Sequence, residues 1–76
     1  MTKMKKYYAE KNGFGWSAPV VIAFDTEQER DDYCRHTDYV SPIYSAKNRI
    51  VDYEYKNGEL VEINYDYRDG KLVRIN

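Results

Sequence analysis

From Phe14 to Phe24 every even position is apolar: Phe14, Trp16, Ala18, Val20, Ile22 and Phe24. An unbroken period of two predicts a strand with one buried face. Pro19 falls at an odd position and has no N–H, so the strand is expected to be an edge there, or bulged. A second alternating run, Lys3 to Glu10, precedes it, and three more follow at 48–55, 59–67 and 71–76. The turns between them share one chemistry. Lys11-Asn12-Gly13, Lys56-Asn57-Gly58 and Arg68-Asp69-Gly70 each put Asn-Gly or Asp-Gly between strand-like runs, the strongest short hairpin signature. Residues 53–64, YEYKNGELVEIN, recur as residues 65–76, YDYRDGKLVRIN, so the C-terminal half reads as a meander of strands and tight turns.

Side-chain pattern sets the expected register. A two-residue loop at Asn57-Gly58 places Tyr55 opposite Leu60 and Tyr53 opposite Glu62, mixing aromatic and acidic residues on one face. A three-residue loop with Gly58 left-handed pairs Tyr53 with Val61 and Val51 with Ile63, and a slip of one residue exchanges the faces. The three-residue loop sorts apolar from charged, so it is the one predicted. The same loop at Gly70 pairs Tyr65 with Val73 and Ile63 with Ile75; at Gly13 it pairs Tyr8 with Trp16 and Met4 with Val20.

Between the halves the period changes. Thr26 with Glu29 three residues on makes a capping box, Glu27 and Glu29 suit the positive end of a helix dipole, and Arg35 and His36 suit the negative end. A helix is predicted at 27–36, with Tyr33 and Cys34 as a poor apolar face and a loop from Thr37 to Ala46 returning the chain to the sheet. The expected fold is one α+β domain with an antiparallel β-sheet in the order β-β-α-β-β-β: a hairpin at 3–24, the helix, and a three-stranded meander at 48–76. The helix is packed on one face, over Trp16, Val20, Ile22, Val51, Tyr53, Val61, Ile63, Tyr65, Val73 and Ile75.

With 76 residues, such a chain buries only about 60% of the surface its unfolded form exposes, which leaves little room for an enclosed cavity. Twelve bases against 13 acids give a net charge of −1, too acidic for a general polyanion binder. A single cysteine excludes a disulfide framework and a multi-cysteine zinc site. No apolar run is long enough to span a bilayer, and the basic start leads into Tyr7-Tyr8-Ala9-Glu10 rather than an apolar leader. A cytoplasmic protein with no membrane contact is expected.

The charge is near zero in total but segregated. Residues 25–38 carry Asp25, Glu27, Glu29, Asp31, Asp32 and Asp38 against two arginines, whereas residues 1–11 carry Lys3, Lys5, Lys6 and Lys11 against Glu10. In the predicted register Asp52 faces Glu62, with Glu54 and Asp66 on the same face. Opposed like charges destabilise a sheet, so they suggest a surface kept for a partner, the plainer explanation being a solvated face. The candidate partner-binding residues are Asp52, Glu54, Glu62 and Asp66 on the sheet and Glu27, Asp31 and Asp32 on the helix. Tyr39 and Tyr44, in the Pro42 loop, are candidate anchors, since tyrosine is large, stiff and amphipathic.

Catalysis has little to build on. Cys34 and His36 are two apart and point to different sides of a helix, no phosphate-cradling glycine loop is present, and neither a metal nor a cofactor is expected. A lysine-rich opening hairpin (MTKMKKYYAEKNGFGW), a capped acidic helix (FDTEQERDDYCRH) and a β-meander in a short chain resemble small phage-encoded host-takeover proteins, of which anti-CRISPR proteins are the best-known group. The resemblance implies a stoichiometric inhibitor in the host cytoplasm that covers a nucleic-acid-binding or regulatory surface of a bacterial effector with its acids. The expected function is a non-enzymatic small binding protein that docks an acidic surface on a basic patch of a partner protein. Two alternatives stand beside it: a nucleic-acid-binding module using Lys3, Lys5, Lys6, Lys11 and the tyrosines, and a self-associating structural protein or homodimer joined through a strand edge.

Overall fold

Thr26 starts the helix as its chemistry requires. It is extended (φ −129°, ψ 153°), its Oγ accepts the Glu29 N–H at 3.1 Å, and its hydroxyl donates to the Glu29 carboxylate at 3.1 Å. Helix α1 then runs Glu27–His36, the span expected. The computed structural model describes residues 6–12, 18–46 and 49–76. Within them lie seven strands: β1 (Tyr7–Lys11), β2 (Val20–Phe24), β3 (Val40–Ile43), β4 (Tyr53–Lys56), β5 (Glu59–Glu62), β6 (Tyr65–Arg68) and β7 (Lys71–Arg74). The fold is α+β, with one helix over a mostly antiparallel sheet.

The strand order departs from the expected one. Five strands form a sheet in the order β3-β1-β2-β4-β5, with β2 and β4 parallel, and β6 and β7 form a separate two-stranded sheet. Strand β2 is central, not an edge: Val21, Ile22, Ala23 and Phe24 are all buried, as suits a strand covered on both faces. The missing N–H of Pro19 is accommodated because the strand begins one residue later. Tyr7 pairs with Phe24 and Lys11 with Val20, so the connection spans residues 12–19 rather than a three-residue turn at Gly13. Tyr8 therefore faces Ala23, not Trp16; Trp16 and Met4 lie outside the described residues. The segment expected as a loop supplies β3, which pairs Lys11 with Val40 and Tyr8 with Ile43. Tyr39 turns the chain into it with a left-handed backbone (φ 65°), and its carbonyl accepts the Asn12 N–H at 2.9 Å.

The C-terminal register is also corrected. Asn57 and Gly58 (φ 52° and 82°) and Asp69 and Gly70 (φ 51° and 74°) both have two left-handed central residues. That is the two-residue type I′ loop, whose twist matches the strands it joins. Tyr55 consequently faces Leu60 and Tyr53 faces Glu62, and in the second copy Tyr67 faces Leu72 and Tyr65 faces Arg74. The mixed face that argued against this loop is tolerated because Tyr53 and Tyr55 lean under α1 while Glu62 stays exposed at the rim. The expected strand at 59–67 breaks at Ile63-Asn64, which separates the second hairpin from the first.

The core lies between α1 and the sheet. Ala9, Ile22, Phe24 and Val40 are buried there, flanked by Tyr7, Tyr33, Cys34, Tyr53, Tyr55 and Leu60. Phe24, Tyr33 and Tyr55 form a ring triad with centroids 5.3–5.6 Å apart, within the usual range for attractive aromatic pairs. Val20, Ile22 and Tyr53 share the helix side as expected. Val61 and Ile63 do not, because the two-residue loop moves them to the other face, and Val73 and Ile75 belong to the separate hairpin.

On the face away from α1, Asp25 accepts hydrogen bonds from both Lys6 and Lys56, and these hold its carboxyl below the ordinary aspartate value. A depressed folded pKa stabilises the fold above the unfolded pKa and loses that stabilisation as pH falls through the folded one. The Asp25 side chain is 38% exposed, so the effect is screened and modest. Asp25→Asn is expected to flatten the fall of the urea midpoint below about pH 4, where aspartates titrate, and to leave the slope above about pH 6 unchanged. An identical acid limb in the variant would contradict this assignment.

Candidate functional site

The acidic residues of α1 lie on a short, well-capped helix, and the sheet decides which of them face solvent. Arg30, Tyr33, Cys34 and Thr37 follow helical spacing toward the core. Among the described residues Arg30 is the one buried charged side chain, 5% exposed. Its guanidinium lies 5.7 Å from the Tyr7 ring centre and 5.6 Å from that of Tyr44, close enough for cation–π attraction. Its Nε and Nη2 donate to Asp31 at 3.0 and 2.9 Å, and Glu27 lies 3.6 Å away. One of the two arginines of α1 is thus drawn inward, and the helix keeps Glu27, Glu29, Asp31 and Asp32 around it.

Next to this helix lies a cleft of about 280 Å³. Glu29, Asp32, Tyr33, His36 and Thr37 line it from the helix side, Tyr55 and Gly58 from the β4–β5 hairpin. Asp32 is paired with the exposed Arg35, and its carbonyl accepts from His36 Nδ1 at 2.8 Å, so that nitrogen carries the proton. Burial raises the Tyr33 hydroxyl above the ordinary tyrosine value, partly offset by a hydrogen bond with Thr37, so Tyr33 stays neutral at physiological pH. Two carboxylates beside two aromatic rings can receive a cationic group by charge and by the ring faces together.

The sheet acids are not brought together. Asp52 joins the parallel strands: its N–H donates to Val21 O at 2.8 Å and its carboxylate accepts the Val21 N–H at 2.9 Å. Glu54 accepts from Arg74 Nη2 at 2.6 Å, a bond that holds its carboxyl below the ordinary value. Glu62 points to the opposite face from Asp52, since Asp52 sits across from Ile63. Asp66 pairs with Arg68 at 3.3 Å in the separate sheet. The opposed Asp52–Glu62 pair does not exist, and the reason is the one-residue change of register. The two loop tyrosines are well exposed, Tyr39 at 60% and Tyr44 at 87%, although the Tyr44 ring also borders Arg30.

Sequence reasoning missed the roles of Arg30 and Glu29. The signal for Arg30 was present: stepping back three and four residues from Tyr33 and Cys34 lands on it. Of the lysines weighed for nucleic acid, Lys6 is committed to Asp25, and Lys3 and Lys5 lie outside the described residues. Burial pushes the Cys34 thiol up, which keeps it in the unreactive protonated form. Among the described residues no cluster of three or more His, Cys, Asp or Glu side chains is placed to hold a metal, and no helix is long and apolar enough to cross a membrane. Comparison with protein-family models, curated proteins and solved structures found no match to this chain.

Proposed function

We propose that the chain is a non-enzymatic binding protein that docks the acidic side of α1 on a basic patch of a partner protein. The observation that carries this reading is the cleft beside α1, where Glu29 and Asp32 stand against Tyr33 and Tyr55. A basic side chain entering there competes with Arg35 for Asp32 and shares Glu29 with the Thr26 hydroxyl, and the aromatic walls add cation–π attraction. Glu27 and Asp31 extend the negative potential along the helix, half-neutralised by Arg30. Tyr39 and Tyr44 offer exposed ring area near the helix for anchoring. Asp52, Glu54 and Asp66 are engaged within the fold, and Glu62 stands apart from them, so the docking surface is placed on α1. In the setting implied by the resemblance to phage host-takeover proteins, the partner is a nucleic-acid-binding effector in a host cytoplasm, and docking would occlude its phosphate-binding surface.

A labelled arginine-rich peptide serves as the probe of this surface. It is expected to bind the chain at low salt and to weaken as salt rises, as exposed charges require. Glu29→Gln with Asp32→Asn is expected to weaken binding by about tenfold. Equal affinity for the double variant, with its circular dichroism unchanged, would remove the cleft from the site.

A further inference from the structure

The repeated segment has reversed its charge between copies. Strand β5 reads Glu59-Leu60-Val61-Glu62 and strand β7 reads Lys71-Leu72-Val73-Arg74: the same apolar pair, bounded by acids in one and by bases in the other. Both are edge strands. β5 ends the five-stranded sheet, and β7 is one of only two strands in its own sheet, with all four residues exposed. Leu72, Val73 and the following Ile75 are large hydrophobics left in solvent, as is Val61 of β5. Edges of this kind template pairing with another chain. We propose that the β5 edge of one copy pairs antiparallel with the β7 edge of a second copy of this chain, joining the two sheets into one.

Hydrogen-bond parity restricts the register. Ile63 N–H donates to Asp52 O, and Ile75 N–H donates to Asn64 O. Bonded and non-bonded pairs alternate along an antiparallel ladder, so Leu60 and Glu62 turn their backbone groups outward, as do Leu72 and Arg74. Outward residues must face outward residues. The edge near Glu62 is already engaged: Asn76 Nδ2 donates to Glu62 O at 2.9 Å, and its Oδ1 accepts the Asn64 N–H at 2.8 Å. A side-chain amide sits there as a strand's peptide would. The register that leaves Asn76 in place sets Leu60 opposite Leu72 of the second copy.

That register is chemically coherent across four strands. Tyr55, Leu60, Leu72 of the second copy and its Tyr67 form one apolar row, because Tyr55 already faces Leu60 and Tyr67 already faces Leu72. On the other face Glu59 lies diagonal to Lys71 and Val61 diagonal to Val73. In the corresponding registers, pairing β5 with β5 would set Glu59 diagonal to Glu59, and β7 with β7 would set Lys71 diagonal to Lys71, so charge selects the mixed pairing. Two copies close into a dimer when both such pairings form at once; otherwise the assembly lengthens.

Sedimentation velocity of the full chain, from about 1 µM to about 1 mM at low salt, tests this. A concentration-dependent rise above the monomer is expected. Leu72→Pro removes an outward N–H without touching a β6–β7 bond and is expected to abolish the rise. Lys71→Glu is expected to lower the association constant by about threefold, and Lys71→Glu combined with Glu59→Lys to restore it. A monomer throughout the range overturns the proposal. So does association that ignores both Leu72→Pro and the charge exchange. If circular dichroism shows that Leu72→Pro fails to fold, the charge exchange alone decides. The reading of α1 is independent, because the peptide titration does not use either edge.

Discussion

Phe24→Ala is expected to abolish the cooperative thermal transition of this protein. Phe24 is fully buried at the end of the central strand, and its ring meets both Tyr33 of α1 and Tyr55 of β4, at 5.6 and 5.3 Å. It joins helix to sheet at the centre of the ring triad. Removing a buried phenylalanine ring costs about 3–5 kcal/mol. A chain of this length has a total stability of about 4–11 kcal/mol. The loss therefore ranges from about a quarter of that total to all of it, and it falls on the cluster that holds α1 to the sheet. Differential scanning calorimetry with near-ultraviolet circular dichroism reads the outcome: a broad, low-enthalpy transition and a flattened tyrosine signal. Tyr67→Ala is the control. Its ring is 74% exposed in the peripheral hairpin, and its removal is expected to change stability by less than about 0.5 kcal/mol. A sharp transition in Phe24→Ala, within a few degrees of the parent, would show that α1 does not depend on the ring triad.

The parts of the fold that were legible are those decided locally. The capping box at Thr26 and Glu29 is a four-residue motif with its own hydrogen bonds, so α1 begins and ends where the residues say. The alternation Val20, Ile22, Phe24 likewise marks one face of β2, and the glycines at 58 and 70 are left-handed as expected. What failed was decided by tertiary context. Polarity sorting favours a three-residue loop, but twist matching favours the two-residue loop, and at the sheet rim twist matching prevails. Strand β3 was hidden because Ser41 and Pro42 interrupt it, and an outermost strand tolerates both. The parallel pairing of β2 with β4 joins residues about thirty apart and is accompanied by the Asp52 carboxylate accepting the Val21 N–H, which no local pattern encodes. The candidate site divides along the same line. The acids of α1 were found because helix position follows from spacing. The acids of the sheet were grouped wrongly because their grouping depended on register.

Arg30 yields the second large effect, and the direction of that effect separates packing from charge. Arg30→Ala is expected to cost about 2–3 kcal/mol, since it removes a buried stem as well as two ring contacts of up to about 1 kcal/mol each. Its partner Asp31 is about half exposed and regains water when the guanidinium is lost, so the full penalty of a broken buried pair does not apply. Arg30→Met keeps the stem and fills the space between Tyr7 and Tyr44. Replacing a buried charge by a similar apolar volume is often neutral, so this variant is expected within about 1 kcal/mol of the parent. Arg30→Lys is expected to be less stable than Arg30→Met, because an ammonium is compact and more strongly hydrated and cannot lie flat between rings. Urea denaturation ranks the three. The same series tests the docking surface. Methionine removes one of the two arginine charges of the helix, leaving Glu27 and Asp31 without it, so the negative potential of α1 grows while the fold is kept. Arg30→Met should therefore bind an arginine-rich peptide more tightly than the parent at low salt, with a steeper loss on raising salt. An unchanged or weaker affinity, in a variant as stable as the parent, would mean that the charge of α1 does not govern the interaction.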